Sequence, residues 1–335
     1  MTEHEPWMRR CIQLARNGAG QVAPNPMVGA LLVQGDRILS EGWHRRFGDH
    51  HAEVECLRAF GNSPVPADAT MYVSLEPCAH HGRTPPCVDL LIHRQVKRLV
   101  VGCGDPNPLT KDKGIARARE AGMDVITDVL RDECRWLNRR FITRHEQQRP
   151  YIILKWAQSR DGFLDDHGKP ARISSAATDV LVHLWRAEEQ AILIGSRTAV
   201  NDDPALTVRH VAGRQPLRIL LDRTNRTPAN ARIFDRAAHS LLFTRTHRAD
   251  VHVEQIILQE SSDPLDALLS AALQKQVNSI LVEGGAALLR HFLDRGLWDE
   301  ARVITGAHTF GGGTAAPRFD AAPVRSLSVE PDHIT

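Results

Sequence analysis

The sequence predicts two α/β domains in tandem. Its 335 residues exceed what one compact core usually holds. Segments with helical and strand periodicity alternate through both halves. A polar stretch at residues 144–150, with Glu146, Gln147, Gln148 and Arg149, interrupts the alternation and marks the expected boundary. The domains are accordingly assigned to residues 1–145 and 150–335.

Trp7, Met8, Cys11, Leu14 and Ala15 fall at helical spacing, and Gly18 and Gly20 end that first helix. Residues 28–33 and 70–75 read as strands, with a helical segment at 51–60 between them. A helix opening near Cys87 leads into an apolar strand at 99–103, and a further helix at 114–121 precedes a strand at 125–127. The second half offers strands at 151–156, 191–194, 217–221, 241–244, 255–258, 279–282 and 301–305. Helices at 176–187, 264–275 and 286–295 lie among them.

Lys plus Arg number 42 against 40 Asp plus Glu, a formal net charge of +2, so no global field draws a polyanion and nucleic acid is not an expected partner. The first ten residues lack the apolar core of a signal peptide, and no apolar run reaches spanning length. A cytoplasmic protein with no membrane partner is therefore expected. There thiols stay reduced, so the six cysteines read as metal ligands or small buried hydrophobes. Cys11, Cys56, Cys103 and Cys134 lie on apolar faces and read as packing residues.

Residues 51–53 are H-A-E, and 77–87 are P-C-A-H-H-G-R-T-P-P-C. Zinc takes nitrogen and sulfur tetrahedrally, and a hydrolytic site leaves one position for water, so three protein ligands are expected: His51, Cys78 and Cys87. The metal lowers the pKa of its water, and Glu53, two residues from His51, is placed to move protons as the catalytic acid and base. H-x-E followed by P-C-x-x-C is the pattern of zinc nucleobase deaminases. Here eight residues separate the two cysteines instead of two, and Gly82, Pro85 and Pro86 require the segment to loop out. Cys87, just after Pro86, should open a helix whose positive end favours its thiolate. His80 and His81 are alternative ligands, though loop histidines are usually solvated or face a substrate.

The long-loop motif, together with P-N-P-M-V-G at 24–29 and D-P-N-P at 105–108, resembles the bifunctional riboflavin-biosynthesis deaminase-reductases over nearly the whole chain. That resemblance implies a cytidine-deaminase-like three-layer α/β domain followed by a dihydrofolate-reductase-like α/β domain. It implies zinc-dependent deamination of a diaminohydroxypyrimidine bearing a phosphoribosylamino group, then NADPH reduction of the ribosyl to a ribityl chain. Asn25, His44 and Arg83 match positions that hold the pyrimidine; Asn25 alternatively serves the turn between Pro24 and Pro26, and the other two could be solvated.

The second half resembles the family's reductase through L-K-W-A-Q-S-R-D-G at 154–162, D-D-P-A-L-T-V-R at 202–209 and V-E-G-G at 282–285. Gly284 and Gly285, between an apolar strand and a helix, would let a cofactor phosphate approach backbone donors. No G-x-G-x-x-G accompanies them, so an ordinary Rossmann domain is not indicated. By resemblance, Ala157, Thr198 and Asp202 join them in the NADPH site. Lys155, Ser174, Arg186, Leu206, Arg209 and Glu283 would contact the substrate. Arg186 and Arg209 suit a 5-phosphate because guanidinium binds phosphate bidentately, although a surface ion pair is the commoner fate of arginine.

Two residues depart from the family pattern: Arg160, where Leu often precedes Asp-Gly, and Arg172, where Trp is common. Neither supplies the same apolar wall. The expected partners are small phosphoribosylaminopyrimidines and further copies of the chain in a homo-oligomer. The alternative is a zinc deaminase of a free base or nucleoside joined to a non-reducing domain. Two further readings remain: a structural zinc beside a ligand sensor, which predicts four protein ligands and no open metal position, and a base-modifying enzyme acting on nucleic acid, against which the near-neutral charge and the absence of a basic, aromatic stripe speak.

Overall fold

A computed structural model describes residues 2–80 and 85–335. The chain divides into two compact units, Met1–Gln148 and Arg149–Thr335.

In the first unit the elements run α1 (Glu5–Arg16), β1 (Gly29–Gln34), β2 (Arg37–Trp43), α2 (Ala52–Phe60), β3 (Thr70–Leu75), α3 (Cys87–His93), β4 (Arg98–Cys103), α4 (Lys113–Glu120), β5 (Asp124–Ile126), α5 (Arg131–Leu137) and α6 (Arg139–Gln147). The sheet order is β2-β1-β3-β4-β5. β1 is antiparallel to β2 and β3, whereas β3, β4 and β5 are parallel. Successive side chains leave a strand on opposite faces. Ala30 and Leu32 therefore join Met71, Val73, Leu99 and Val101 under α2, α3 and α4. Leu31 and Val33 join Tyr72 and Val100 under α1 and α5. Cores on both faces make the unit three-layered, and near-continuous apolar strands are the sequence mark of that double burial.

Gly42 lets α2 sit down on β2: a Cβ there would lie 2.3 Å from the Cys56 nitrogen and 2.5 Å from the Ala52 oxygen. That close approach fixes the start of α2, where His51 and Glu53 stand.

The second unit comprises β6 (Tyr151–Gln158), α7 (Ala176–Glu188), β7 (Ala191–Gly195), α8 (Ser196–Asp202), β8 (Leu217–Leu221), β9 (Ser240–Thr244), β10 (Glu254–Ile257), α9 (Pro264–Gln274), β11 (Ser279–Val282), α10 (Ala286–Asp294), β12 (Glu300–Thr305), β13 (Leu327–Val329) and β14 (Asp332–Ile334). Its sheet order is β10-β9-β8-β7-β11-β6-β12-β14-β13, parallel as far as β12, with an antiparallel β13–β14 hairpin at the edge. Central β6 sends Ile152, Leu154 and Trp156 into one core and Tyr151 and Ile153 into the other. Lys155 shares the parity of Tyr151 and Ile153 and brings a charge to that face near the strand's end. Ser175 caps α7 by accepting from the Thr178 amide at 3.2 Å, and Asp263 caps α9 by accepting from Leu265 at 2.8 Å.

The structure adds elements that the periodicity does not announce: β2, α5, α6, α8 and the β13–β14 hairpin. The polar stretch at 144–150 is not an open linker, because α6 extends through Gln147. Polar residues there occupy the last turn of an amphipathic helix that buries Phe141, Ile142 and Thr143.

Candidate functional site

His51 is the residue preceding α2, Glu53 lies in its first turn, Cys78 follows β3, and Cys87 is the first residue of α3. One ligand atom from each of His51, Cys78 and Cys87 falls within 4.8 Å of the others. His51 Nδ1 is 3.2 Å from Cys87 Sγ and 3.6 Å from Cys78 Sγ. Zn–S bonds of about 2.3 Å and Zn–N bonds of about 2.0 Å at a tetrahedral angle put nitrogen and sulfur about 3.5 Å apart. The donor set therefore fits zinc in both chemistry and spacing.

The helix start favours a different sulfur from the one expected. The Cys87 amide points at Cys78 Sγ, 3.2 Å away, because Cys78 packs across the open end of α3 with its carbonyl bonded to the Val88 amide. A hydrogen bond from the Cys87 thiol, opposed by burial and reinforced by His51, brings the Cys78 thiol down to about 4. The Cys87 pKa moves upward, because its S–H is held as the hydrogen-bond donor to Cys78 and is itself buried.

Glu53 is buried, and that burial, countered by His51, raises its carboxyl to about 7. It also meets the Cys87 thiol. His44 lies edge-on to His51 with ring centroids 5.5 Å apart. His44 Nδ1 bonds the His50 carbonyl at 2.9 Å, and Nε2 faces Asn25 Nδ2 at 3.1 Å. Burial lowers the His44 pKa, so the neutral ring donates from Nδ1 and accepts the Asn25 amide at Nε2. Asn25, His44, His51 and Glu53 thus share one site with the two thiols. Arg83 and His81 lie outside the described residues. His80 is exposed and meets the Thr110 hydroxyl at 3.3 Å.

Glu76, two residues before Cys78, carries no signal in the sequence. Its buried carboxylate accepts four backbone N–H groups: Gly114 at 3.0 Å and Ile115 at 3.2 Å on Oε1, Asp105 and Asp112 at 3.1 Å on Oε2. It thereby caps α4 from a distance and holds the D-P-N-P segment against the sulfur-bearing loop.

In the second unit, Glu283, just past β11, receives both guanidinium branches of Arg186 at 2.6 and 2.7 Å and faces Lys155 Nζ at 3.7 Å. Burial raises the Glu283 carboxyl, but Arg186 and Lys155 outweigh it and hold the group at about 2. Arg209 Nη1 donates to Thr207 Oγ1 at 2.8 Å. Ser174 donates to Asp179, which also pairs with Arg172 at 2.7 Å. Arg172 thus occupies an ion pair and the Ser174 carbonyl in place of an apolar wall.

Gly284 and Gly285 stand beside Thr198: a Cβ on Gly285 would lie 3.1 Å from Thr198 Oγ1, and Gly284 has φ +107°. The Gly195 amide donates to the Gly284 carbonyl at 3.1 Å, so the ends of β7 and β11 meet there. Asp202 closes α8; burial, and then Asp165, raise its pKa. Ala157 pairs with Ile304 on β12. Leu206 is buried in the core, with 2% of the residue exposed. Asp161, which the sequence places in the 154–162 motif at a turn, accepts the Phe310 and Gly311 amides at 3.1 and 2.8 Å and orders the glycine-rich segment after β12.

The first unit's layered sheet and its histidine–dithiol cluster define the class of a zinc deaminase, here followed by a separate parallel α/β unit. Residues 1–103 match the cytidine and deoxycytidylate deaminase zinc-binding region, and residues 150–335 match the RibD C-terminal domain. The riboflavin biosynthesis protein RibD of Aquifex aeolicus is 37% identical over 316 residues, covering 92% of this chain and 88% of that protein. Its Escherichia coli counterpart is 37% identical over 329 residues, covering 92% and 89%. A crystal structure of a diaminohydroxyphosphoribosylaminopyrimidine deaminase/5-amino-6-(5-phosphoribosylamino)uracil reductase from Thermotoga maritima superposes with a TM-score of 0.90 at 34% identity, covering 99% of this chain and 97% of that one. RibD of Acinetobacter baumannii gives 0.89 at 34% identity, with coverage of 98% and 97%.

The chain belongs to the RibD family, the bifunctional deaminase-reductases of riboflavin biosynthesis. Its folds are the expected cytidine-deaminase-like and reductase α/β types, and its cofactors are zinc and NADPH.

Proposed function

We propose that residues 1–145 deaminate 2,5-diamino-6-(5-phosphoribosylamino)pyrimidin-4(3H)-one and that residues 150–335 reduce the ribosyl group of the resulting aminouracil to ribityl. The observation that carries the first half is the convergence of His51 Nδ1, Cys78 Sγ and Cys87 Sγ within 4.8 Å, with the Glu53 carboxyl alongside. Zinc bound there supplies a Lewis acid and acidifies a water. Glu53 relays the two protons of the attacking water, one to the ring nitrogen and the other to the amine, which leaves as ammonia; a carboxyl drawn up to about 7 is matched to exchanging protons near neutrality. Asn25, held by neutral His44, orients the base edge, with Arg83 as a further contact.

In the second unit Gly284, Gly285, Thr198, Ala157 and Asp202 hold NADPH, and Lys155, Ser174, Leu206, Glu283, Arg186 and Arg209 hold the phosphorylated substrate. The charged cluster around Glu283 supports this assignment, since it gathers cations beyond what one carboxylate neutralises. The chain acts in the cytoplasm as a homo-oligomer on small molecules. All six cysteines are free, as a reducing compartment requires.

The test is one incubation of purified protein with zinc, NADPH and the diaminopyrimidine, following ammonia and NADPH absorbance together. Ammonia release followed by stoichiometric NADPH consumption is the expected result. Ammonia without NADPH consumption would remove the reductase assignment, and no ammonia would remove both steps.

A further inference from the structure

His183 belongs to none of the motifs above, yet it sits where the phosphate-binding assignment needs support. It lies on α7 three residues before Arg186, so both side chains leave the same helical face. The residue is 3% exposed. Its Nδ1 accepts the backbone N–H of Arg209 at 2.9 Å. The ring of His210 meets it edge-on at 4.4 Å between centroids. Arg186 Nη1 reaches the Thr207 carbonyl at 3.5 Å, and Thr207 Oγ1 receives Arg209 Nη1 at 2.8 Å. One turn of α7 therefore holds Thr207, Arg209 and His210 of this segment and brings the Arg209 guanidinium toward Arg186.

The local charge shows what that grip works against. Lys155, Arg186 and Arg209 are three cations, and Glu283 is the one carboxylate bonded to Arg186 and Lys155, giving 3 − 1 = +2. Asp179 is neutralised by Arg172. Arg186 and Arg232 both oppose the charge on Arg209. A phosphomonoester with about two negative charges complements such a cluster, and without one the like charges of Arg186 and Arg209 oppose their approach.

We propose that His183 is a positioning residue of the reductase unit: its Nδ1 lone pair anchors the Arg209 backbone so that Arg209 and Arg186 converge on the substrate's 5-phosphate. This rests on the assignment of Arg186 and Arg209 to that phosphate. Accepting at Nδ1 requires a neutral ring with its proton on Nε2. The groups facing the ring are Arg186, Arg209, His210 and Glu283; burial, followed by the two arginines, lowers the His183 pKa to about 4, so the acceptor persists at neutral pH.

Asn places an oxygen where Nδ1 stands, Gln places one nearer Nε2, and Leu fills the space with no acceptor. The experiment measures, on the full chain, the KM for the phosphorylated uracil substrate, the KM for NADPH and the inhibition constant of inorganic phosphate. The variants are His183→Asn, His183→Gln, His183→Leu, Arg209→Ala and the Leu/Ala double variant, with circular dichroism reporting folding. His183→Leu and His183→Gln should each weaken substrate and inorganic phosphate about tenfold, the worth of one buried hydrogen bond. NADPH should be unaffected, and His183→Asn should stay near wild type. The double variant should be no worse than Arg209→Ala, because both act through one contact.

Wild-type behaviour of His183→Leu, equal damage from Asn and Leu, or multiplied effects in the double variant would each overturn the proposal while leaving the phosphate assignment intact. Arg209→Ala without effect on substrate or phosphate removes that assignment, and the proposal with it.

Discussion

Glu76→Gln tests how the deaminase unit is held together. The native carboxylate offers each oxygen to two backbone N–H groups, Gly114 and Ile115 on one side, Asp105 and Asp112 on the other. In the amide, one oxygen becomes an NH2 group, and whichever way it turns it faces two donors with a donor. Two bonds to a charged acceptor are lost, each worth about 1.5–3 kcal/mol, for a total of about 3–6 kcal/mol. The other two fall from charge-assisted to neutral strength, and the α4 N-terminus loses its facing anion. The loss is a sizeable share of a domain's stability of roughly 5–15 kcal/mol. Urea unfolding of wild type and variant, read by circular dichroism at several wavelengths, gives the difference for the first transition. For a unit of this size the melting temperature should drop by about 10 °C or more. A change below about 1 kcal/mol would refute the reasoning, since it would mean that the four bonds contribute no more than a surface contact does.

Further predictions follow from named contacts. Gly114→Ala would put a Cβ 1.9 Å from the Pro77 carbonyl, one residue before Cys78, so it should both destabilise the unit and weaken zinc retention under chelator titration; unchanged zinc affinity would oppose this. Glu283 has its folded pKa depressed to about 2 by Arg186 and Lys155, so its contribution is full above the unfolded value near 4.5 and is lost as pH falls toward 2. That shift corresponds to roughly 3 kcal/mol, and Glu283→Gln should flatten the acid-induced loss of stability between about pH 4.5 and 2, seen by unfolding at stepped pH. Removing zinc should expose one fast-reacting thiol per chain. Cys78 is the cysteine with an intermediate exposure and a lowered pKa, while the other five are buried. Dithionitrobenzoate kinetics should therefore lose the fast phase in Cys78→Ser and in the zinc-loaded protein.

The residues of the candidate metal centre were legible because they are local: H-A-E opens a helix, and each cysteine follows a proline. Central strands such as β7 and β11 were legible because burial on both faces leaves a near-continuous apolar run. The missed elements are those whose sequence balances polar and apolar residues. β2 mixes Arg37, Ser40 and Glu41 with Ile38 and Leu39 at an edge, and α5 exposes Arg131, Asp132 and Glu133. Glu76 and His183 were invisible, and the contact made by Asp161 unforeseen, for another reason: each acts on backbone N–H groups tens of residues away, which no side-chain pattern encodes. Cys87 was assigned the helix-end amide on spacing, but that amide is aimed at Cys78, which lies across the start of α3 with its carbonyl bonded to the Val88 amide.

The most direct measurement is zinc content and ammonia release on one preparation of Glu53→Gln. The metal should remain at the wild-type ratio, because His51, Cys78 and Cys87 are untouched, while ammonia release falls by at least about 10²-fold for want of a proton carrier. Ammonia production near the wild-type rate would contradict the account. So would loss of the zinc, since it would make Glu53 a ligand instead of the group that moves the proton.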